Sequence, residues 1–215
     1  MTMPASRLHL VRHGEVFNPD GVLYERIAGF GLSELGHQMA KAAADQLKLE
    51  GVQISKLIAS PLQRTRESVK PIEELFGLEA ELDERVIENW NLFKGLRPGP
   101  RALLKRPSLL LSLYNPSKPS WGEPFTEIAS RMTRASLEHH GSVTGGDVVI
   151  VSHQLPIWMT YRSAQGLKLS HDPRSRRCSL SSITSFEVFD GKLREVDYRE
   201  PGMNFAKSLA DGGAV

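Results

Sequence analysis

Three short apolar runs punctuate the chain, and each stops on a polar cluster. LHLV at residues 8–11 runs into Arg12-His13-Gly14, KLIA at 56–59 into Ser60-Pro61-Leu62-Gln63-Arg64, and VVIV at 148–151 into Ser152-His153-Gln154. Runs this short, rich in leucine or β-branched residues and lacking polar alternation, fit strands buried on both faces of a parallel sheet. Helical patterns lie between them. The first is expected after Leu32, capped by Ser33, with Gly36 an early weak point and Gly51 its end. The second is expected from about Pro61 to Phe76, with Gly77 as a stop and Pro71 expected to kink or interrupt it. The third runs from about Pro124 to His140 and the fourth from His153 to Gln165, Pro156 fitting its opening turn.

The pattern then changes. SSITSFEVFDGKLREVDY, residues 181–198, has two alternating runs around Asp190-Gly191, a hairpin signature expected to form an antiparallel sheet edge. The stretch 83–122 carries PGP, NPSKP and the apolar burst LLLSLY, and is expected as an excursion from the sheet that covers the site. Residues 201–215, ending in ADGGAV, read as a partly disordered tail. The expected architecture is one α/β domain over residues 1–200. Three α/β/α layers would enclose a mostly parallel sheet with helices on both faces and an antiparallel C-terminal hairpin edge.

Composition narrows the function. Among 215 residues, 27 Lys and Arg against 25 Asp and Glu leave a formal charge of +2, which gives no support for a nucleic-acid or membrane partner. Cys178 is the single cysteine, so no internal disulfide can form and a reducing compartment is favoured. The opening MTMPASR lacks a basic region followed by an apolar stretch; the expected location is cytoplasmic. The sequence leaves the oligomeric state open.

Polar residues just past the carboxyl ends of parallel strands share one crevice. Arg12, His13, Arg64 and His153 would therefore meet there. Guanidinium forks match phosphate oxygens, whereas imidazoles among arginines repel a metal cation. The expectation is a small phosphorylated ligand and no metal. A neutral histidine beside phosphate can act as nucleophile, Gly14 would let the backbone approach the phosphate, and an acid is needed for the leaving oxygen. Plainer readings exist. Arg64 could pair with Glu67 on its helix, Asn18 could make an Asx turn before Pro19, and Glu88 could be one of several surface carboxylates. Arg174, Arg176 and Arg177 read first as an exposed charged loop, with recruitment of an anionic substrate arm as the alternative.

LVRHGEVFNP, ASPLQRTRES and VSHQ, in this order and each after a strand, resemble the histidine phosphatase superfamily, also called phosphoglycerate mutase-like. LSELG at 32–36 and WGEPFTEIASRM at 121–132 extend the resemblance, which spans roughly residues 8 to 188. It implies His13 as the nucleophile that becomes phosphohistidine. It implies Arg12, Arg64 and His153 as the phosphate pocket, Asn18 as a further phosphate contact, and Glu88 as proton donor. Glu84 and Glu123 are the competing acids. No cofactor is implied. The middle of this chain is shorter than and unlike that of the mutases. The expected activity is accordingly a metal-independent phosphomonoesterase acting on a small phosphorylated metabolite. A primed phosphoglycerate-type mutase and a non-catalytic phospholigand-binding regulatory module are the alternatives.

Overall fold

Alternate residues of the three apolar runs serve two different cores. Leu8, Leu10, Ile58, Val148 and Ile150 pack into one, whereas Val11, Leu57, Ala59, Val149 and Val151 pack into the other. Both faces of these strands are therefore buried, which is why their sequences are apolar without alternation. The computed structural model describes residues 5–97 and 122–206. Its strands are β1 (Leu8–Arg12), β2 (Ile54–Ala59), β3 (Glu81–Leu82), β4 (Asp147–Ser152), β5 (Ile183–Phe189) and β6 (Lys192–Arg199). They form one sheet in the order β3-β2-β4-β1-β5-β6. The first four are parallel; β5 runs antiparallel to β1, and β6 antiparallel to β5. The helices are α1 (Glu34–Leu49), α2 (Gln63–Phe76), α3 (Phe125–Gly141), α4 (Gln154–Ala164) and the short α5 (Met203–Ala206).

Each face of the sheet takes one pair of helices. Ala43, Ala44 and Leu47 of α1 join Val69 and Ile72 of α2 in one core, while Met132 and Ala135 of α3 join Ile157 of α4 in the other. The layered α/β/α arrangement and the antiparallel edge agree with the pattern in the sequence. The hairpin turns as its residues require: Asp190 and Gly191 both have positive φ, 48° and 71°, as a type I′ turn demands. Of the two outcomes expected at Pro71, interruption does not occur: α2 continues through it, because Val69 and Ile72 on either side are buried and packing holds the helix across the missing N–H. β3 and a 3₁₀ turn at Glu84–Val86 went unforeseen. Of the expected excursion, PGP, LLLSLY and NPSKP lie outside the described residues, as does the ADGGAV tail. No helix among the described residues is long and apolar enough to cross a membrane.

Ser33 caps α1 by accepting from the Gly36 N–H at 3.0 Å. Gly36 is no weak point. A Cβ there would lie 2.0 Å from the Glu15 carbonyl oxygen, and one at Gly14 would lie 2.3 Å from the Gly36 carbonyl oxygen. Gly14 thus permits backbone-to-backbone contact with α1. Gly36→Ala must displace α1 from the segment following His13. Denaturant unfolding is expected to show a loss of about 3 kcal/mol; an unchanged midpoint would mean the two backbones separate at little cost.

Candidate active site

Parallel pairing delivers three polar clusters to one edge of the sheet. Arg12 pairs with Ser152, and Ala59 with Val151, so β1, β4 and β2 end level. The His13 N–H donates to the Ser152 carbonyl at 3.1 Å, and the Ser60 N–H to the Val151 carbonyl at 3.0 Å. Arg12, His13, Arg64 and His153 are consequently all buried, the arginines and His153 completely. The two imidazole centroids stand 5.2 Å apart, edge to face at 64°. The sequence placed these four residues together, and the fold does so. The plain alternative for Arg64 fails: Glu67 instead accepts from the Leu32 N–H at 2.5 Å and the Gln63 amide at 2.7 Å.

Hydrogen bonding fixes the His13 ring. Its Nδ1 lies 2.7 Å from the Gly14 carbonyl oxygen, which can only accept, so Nδ1 carries the proton and Nε2 keeps its lone pair. Burial first, then the charges of Arg64 and Arg12, hold its pKa well below the ordinary imidazole value, against the Gly14 bond. His153 is depressed by burial, then by Arg64 and His13. Its Nε2 lies 2.8 Å from the Ser60 hydroxyl.

Both arginines are anchored by main-chain carbonyls. Arg12 Nη1 donates to the Cys178 carbonyl and Arg64 Nη2 to the Glu25 carbonyl, each at 2.6 Å. The Arg64 guanidinium also lies 4.9 Å from the centre of the Tyr24 ring. Among the described residues, Arg64 Nε and Nη1 and His153 Nδ1 are buried without a hydrogen-bond partner. Buried donors left in this state are costly unless something accepts from them.

Glu88 follows the 3₁₀ turn, which is docked on β4 through the Ser152 hydroxyl and the Val86 carbonyl at 2.6 Å. Its Oε2 comes within 3.9 Å of His153 Nδ1, and its Oε1 accepts from the Asn89 N–H at 3.1 Å. Burial raises its pKa, opposed by Arg64, the Asn89 N–H and Arg12. The competing acids stand differently. Glu84 is exposed, and Glu123 is buried but bound by Arg131 at 2.6 Å and Arg26 at 3.2 Å. Asn18 braces its own loop: its amide donates to the Val22 carbonyl at 2.9 Å and accepts from the Val22 N–H at 3.2 Å. Neither Ser60 nor Glu25 is marked as functional by any pattern in the sequence. Among the described residues, no group of three His, Cys, Asp or Glu side chains forms an arrangement that could hold a metal ion.

Glu25 is the larger omission. Its backbone sits at φ 34°, a left-handed conformation unusual outside glycine, which aims its carbonyl at Arg64. Its carboxylate accepts from the Asn91 N–H at 2.8 Å and ties this loop to the Glu88 segment. Burial raises its pKa to about 7, opposed by the Asn91 N–H and reinforced by the charge of Glu88. Folding therefore binds a proton here above the ordinary carboxyl pKa, and stability should decline as pH rises through that window. Glu25→Gln keeps an acceptor for Asn91 but cannot ionise. Its Tm should fall less than that of the wild type between about pH 5 and about pH 8. Parallel Tm curves would show that the carboxyl titrates normally.

An imidazole with a fixed lone pair, two guanidinium groups, a second imidazole and a buried carboxyl form one buried, cation-rich cluster at the sheet edge. The chain belongs to the histidine phosphatase superfamily (branch 1), whose family model matches residues 8–201. An uncharacterized protein of Mycobacterium tuberculosis, Rv0525, is 45% identical over 198 residues, covering 91% of this chain and 96% of the other. Phosphoserine phosphatase 1 of Hydrogenobacter thermophilus is 30% identical over 169 residues, covering 76% and 78%. Among solved structures, mycobacterial glucosyl-3-phosphoglycerate phosphatase Rv2419c superposes with a TM-score of 0.70 at 21% identity, covering 91% of this chain and 98% of that one. This last likeness is one of fold.

Proposed function

We propose that the protein is a phosphomonoesterase that hydrolyses a small phosphorylated metabolite through a phosphohistidine at His13. The observation that carries the reading is the pair of buried, unpartnered donors on Arg64, with the buried Nδ1 of His153, beside a histidine whose Nε2 is free to attack. A phosphoryl group would accept from those donors and from Arg12, and its developing charge would be stabilised there. His13 Nε2 attacks phosphorus as the bond to the ester oxygen breaks, and Glu88 gives that oxygen its proton. Water then attacks phosphorus and gives a proton to the Glu88 carboxylate. The nitrogen–phosphorus bond breaks, phosphate leaves, and neutral His13 is restored. Asn18, through its bonds to Val22, braces the loop that follows His13.

Rapid acid quench after mixing enzyme with ester labelled on phosphorus should trap label on protein in an acid-labile, alkali-stable form. Steady turnover without trapped label, under conditions where dephosphorylation limits the rate, would point to direct attack by water. The compared proteins carry both phosphatase and phosphoglycerate mutase names; a middle shorter than and unlike that of the mutases favours hydrolysis over transfer between hydroxyls.

A further inference from the structure

Most charges around the 171–177 loop are already matched. Asp172 caps the 3₁₀ turn Pro173–Ser175 and pairs with Arg174 at 2.7 Å. Arg177 pairs with Glu195 and lies over the rings of Tyr161 and Tyr198 at 4.7 and 4.4 Å. Nearby, Arg131 and Arg26 share Glu123. Arg176 differs. Its Nε donates to His171 Nε2 at 2.9 Å and its Nη1 to the Gln154 side-chain oxygen at 3.2 Å, and both acceptors are neutral. His171 is held in the accepting tautomer because its Nδ1–H donates to the Leu169 carbonyl at 2.8 Å. Among the described residues, no carboxylate lies within ion-pair distance of Arg176.

This cation, without an ion-pair partner among the described residues, adjoins the pocket. Gln154 follows His153 directly, and its amide nitrogen lies 3.5 Å from the Cys178 carbonyl, which also takes Arg12 Nη1 at 2.6 Å. The charges of Glu88 and Arg12 both act on Arg176. A guanidinium held in place by two neutral groups keeps further N–H donors for an anion and has no carboxylate to displace.

We propose that Arg176, steadied by His171 and Gln154, forms a second anion subsite beside the phosphate pocket. The preferred substrates are phosphomonoesters that carry another anionic group, a carboxylate or a second phosphate, a few atoms from the ester. The subsite rests on the phosphomonoesterase reading and supplies its substrate class. Arg174 and Arg177, bound to carboxylates, take no part.

The test uses glycerol 3-phosphate, 3-phosphoglycerate and 1,3-propanediol bisphosphate. For the wild type, kcat/KM on at least one of the two esters with an added anion should exceed that on glycerol 3-phosphate by about tenfold or more. Arg176→Gln should bring that ratio to about one, and Arg176→Lys should keep part of it. The preferred ester tells carboxylate from phosphate. A wild type without preference, an unchanged ratio in Arg176→Gln, or an equal fall on all three esters overturns the subsite. If the wild type hydrolyses none of them, the phosphomonoesterase reading fails for these esters. Calorimetric binding to His13→Ala, with and without Arg176→Gln, then decides the subsite by the same ratio.

Discussion

Replacing His13 with alanine is expected to lower kcat by at least about 10⁴-fold and to abolish acid-labile labelling of the protein. The size follows from what disappears. His13 Nε2 is the atom that would bond phosphorus, and the Gly14 carbonyl holds it unprotonated. His153 cannot substitute, since its Nε2 is engaged with Ser60 and its Nδ1 faces Glu88 at 3.9 Å. Arg12 and Arg64 remain, so the variant should still bind inorganic phosphate or vanadate. Retained binding measured beside lost labelling separates removal of the nucleophile from collapse of the pocket. Labelling that persists in His13→Ala would place the phosphoenzyme on another residue.

The second large effect belongs to Glu88. Glu88→Gln should cost about 10²–10⁴-fold on alkyl phosphates, whose leaving oxygens need a proton, and far less on nitrophenyl phosphate. Equal losses on both would assign Glu88 a role other than acid. Its pH behaviour follows from the raised pKa. The acid form must be present for the first step, so kcat/KM should fall on the alkaline side as Glu88 ionises. On the acidic side it should fall as His13 takes a proton, at a pH displaced downward because burial and two arginines resist that charge. Glu88→Gln should lose the alkaline limb and keep the acidic one.

The two halves of this machinery were unequally visible in the sequence. Arg12, His13 and His153 stand at the ends of apolar runs, and a parallel sheet brings strand ends together whatever their separation along the chain. Arg64 was legible because it falls in the first turn of the helix following β2. Glu88 depends on more. It is placed by a two-residue strand and a 3₁₀ turn, neither of which has an apolar period, and a cluster of neighbouring acids surrounds it. Glu25 could not be read at all. Nothing in LYER marks a carboxyl that burial will perturb or a backbone that will turn left-handed to reach Arg64, since both arise from tertiary contact. Pro71 shows the converse, a strong local signal overruled by the packing of Val69 and Ile72. Arg176 looked like one of three equivalent loop cations, and only the partners taken by Arg174 and Arg177 set it apart.

The sheet order has a bearing on how the chain is made. β1 has β4 on one side and β5 on the other, so Leu8 must find Val148 and Phe186. A ribosome exposes LHLV long before either neighbour has been synthesised. The segment bearing His13 emerges before the other strands of this sheet and is among the last to be satisfied; it offers two open edges until β4 is made, and one until the C-terminal hairpin arrives. Chains stalled before residue 183 should therefore be the form most dependent on chaperones.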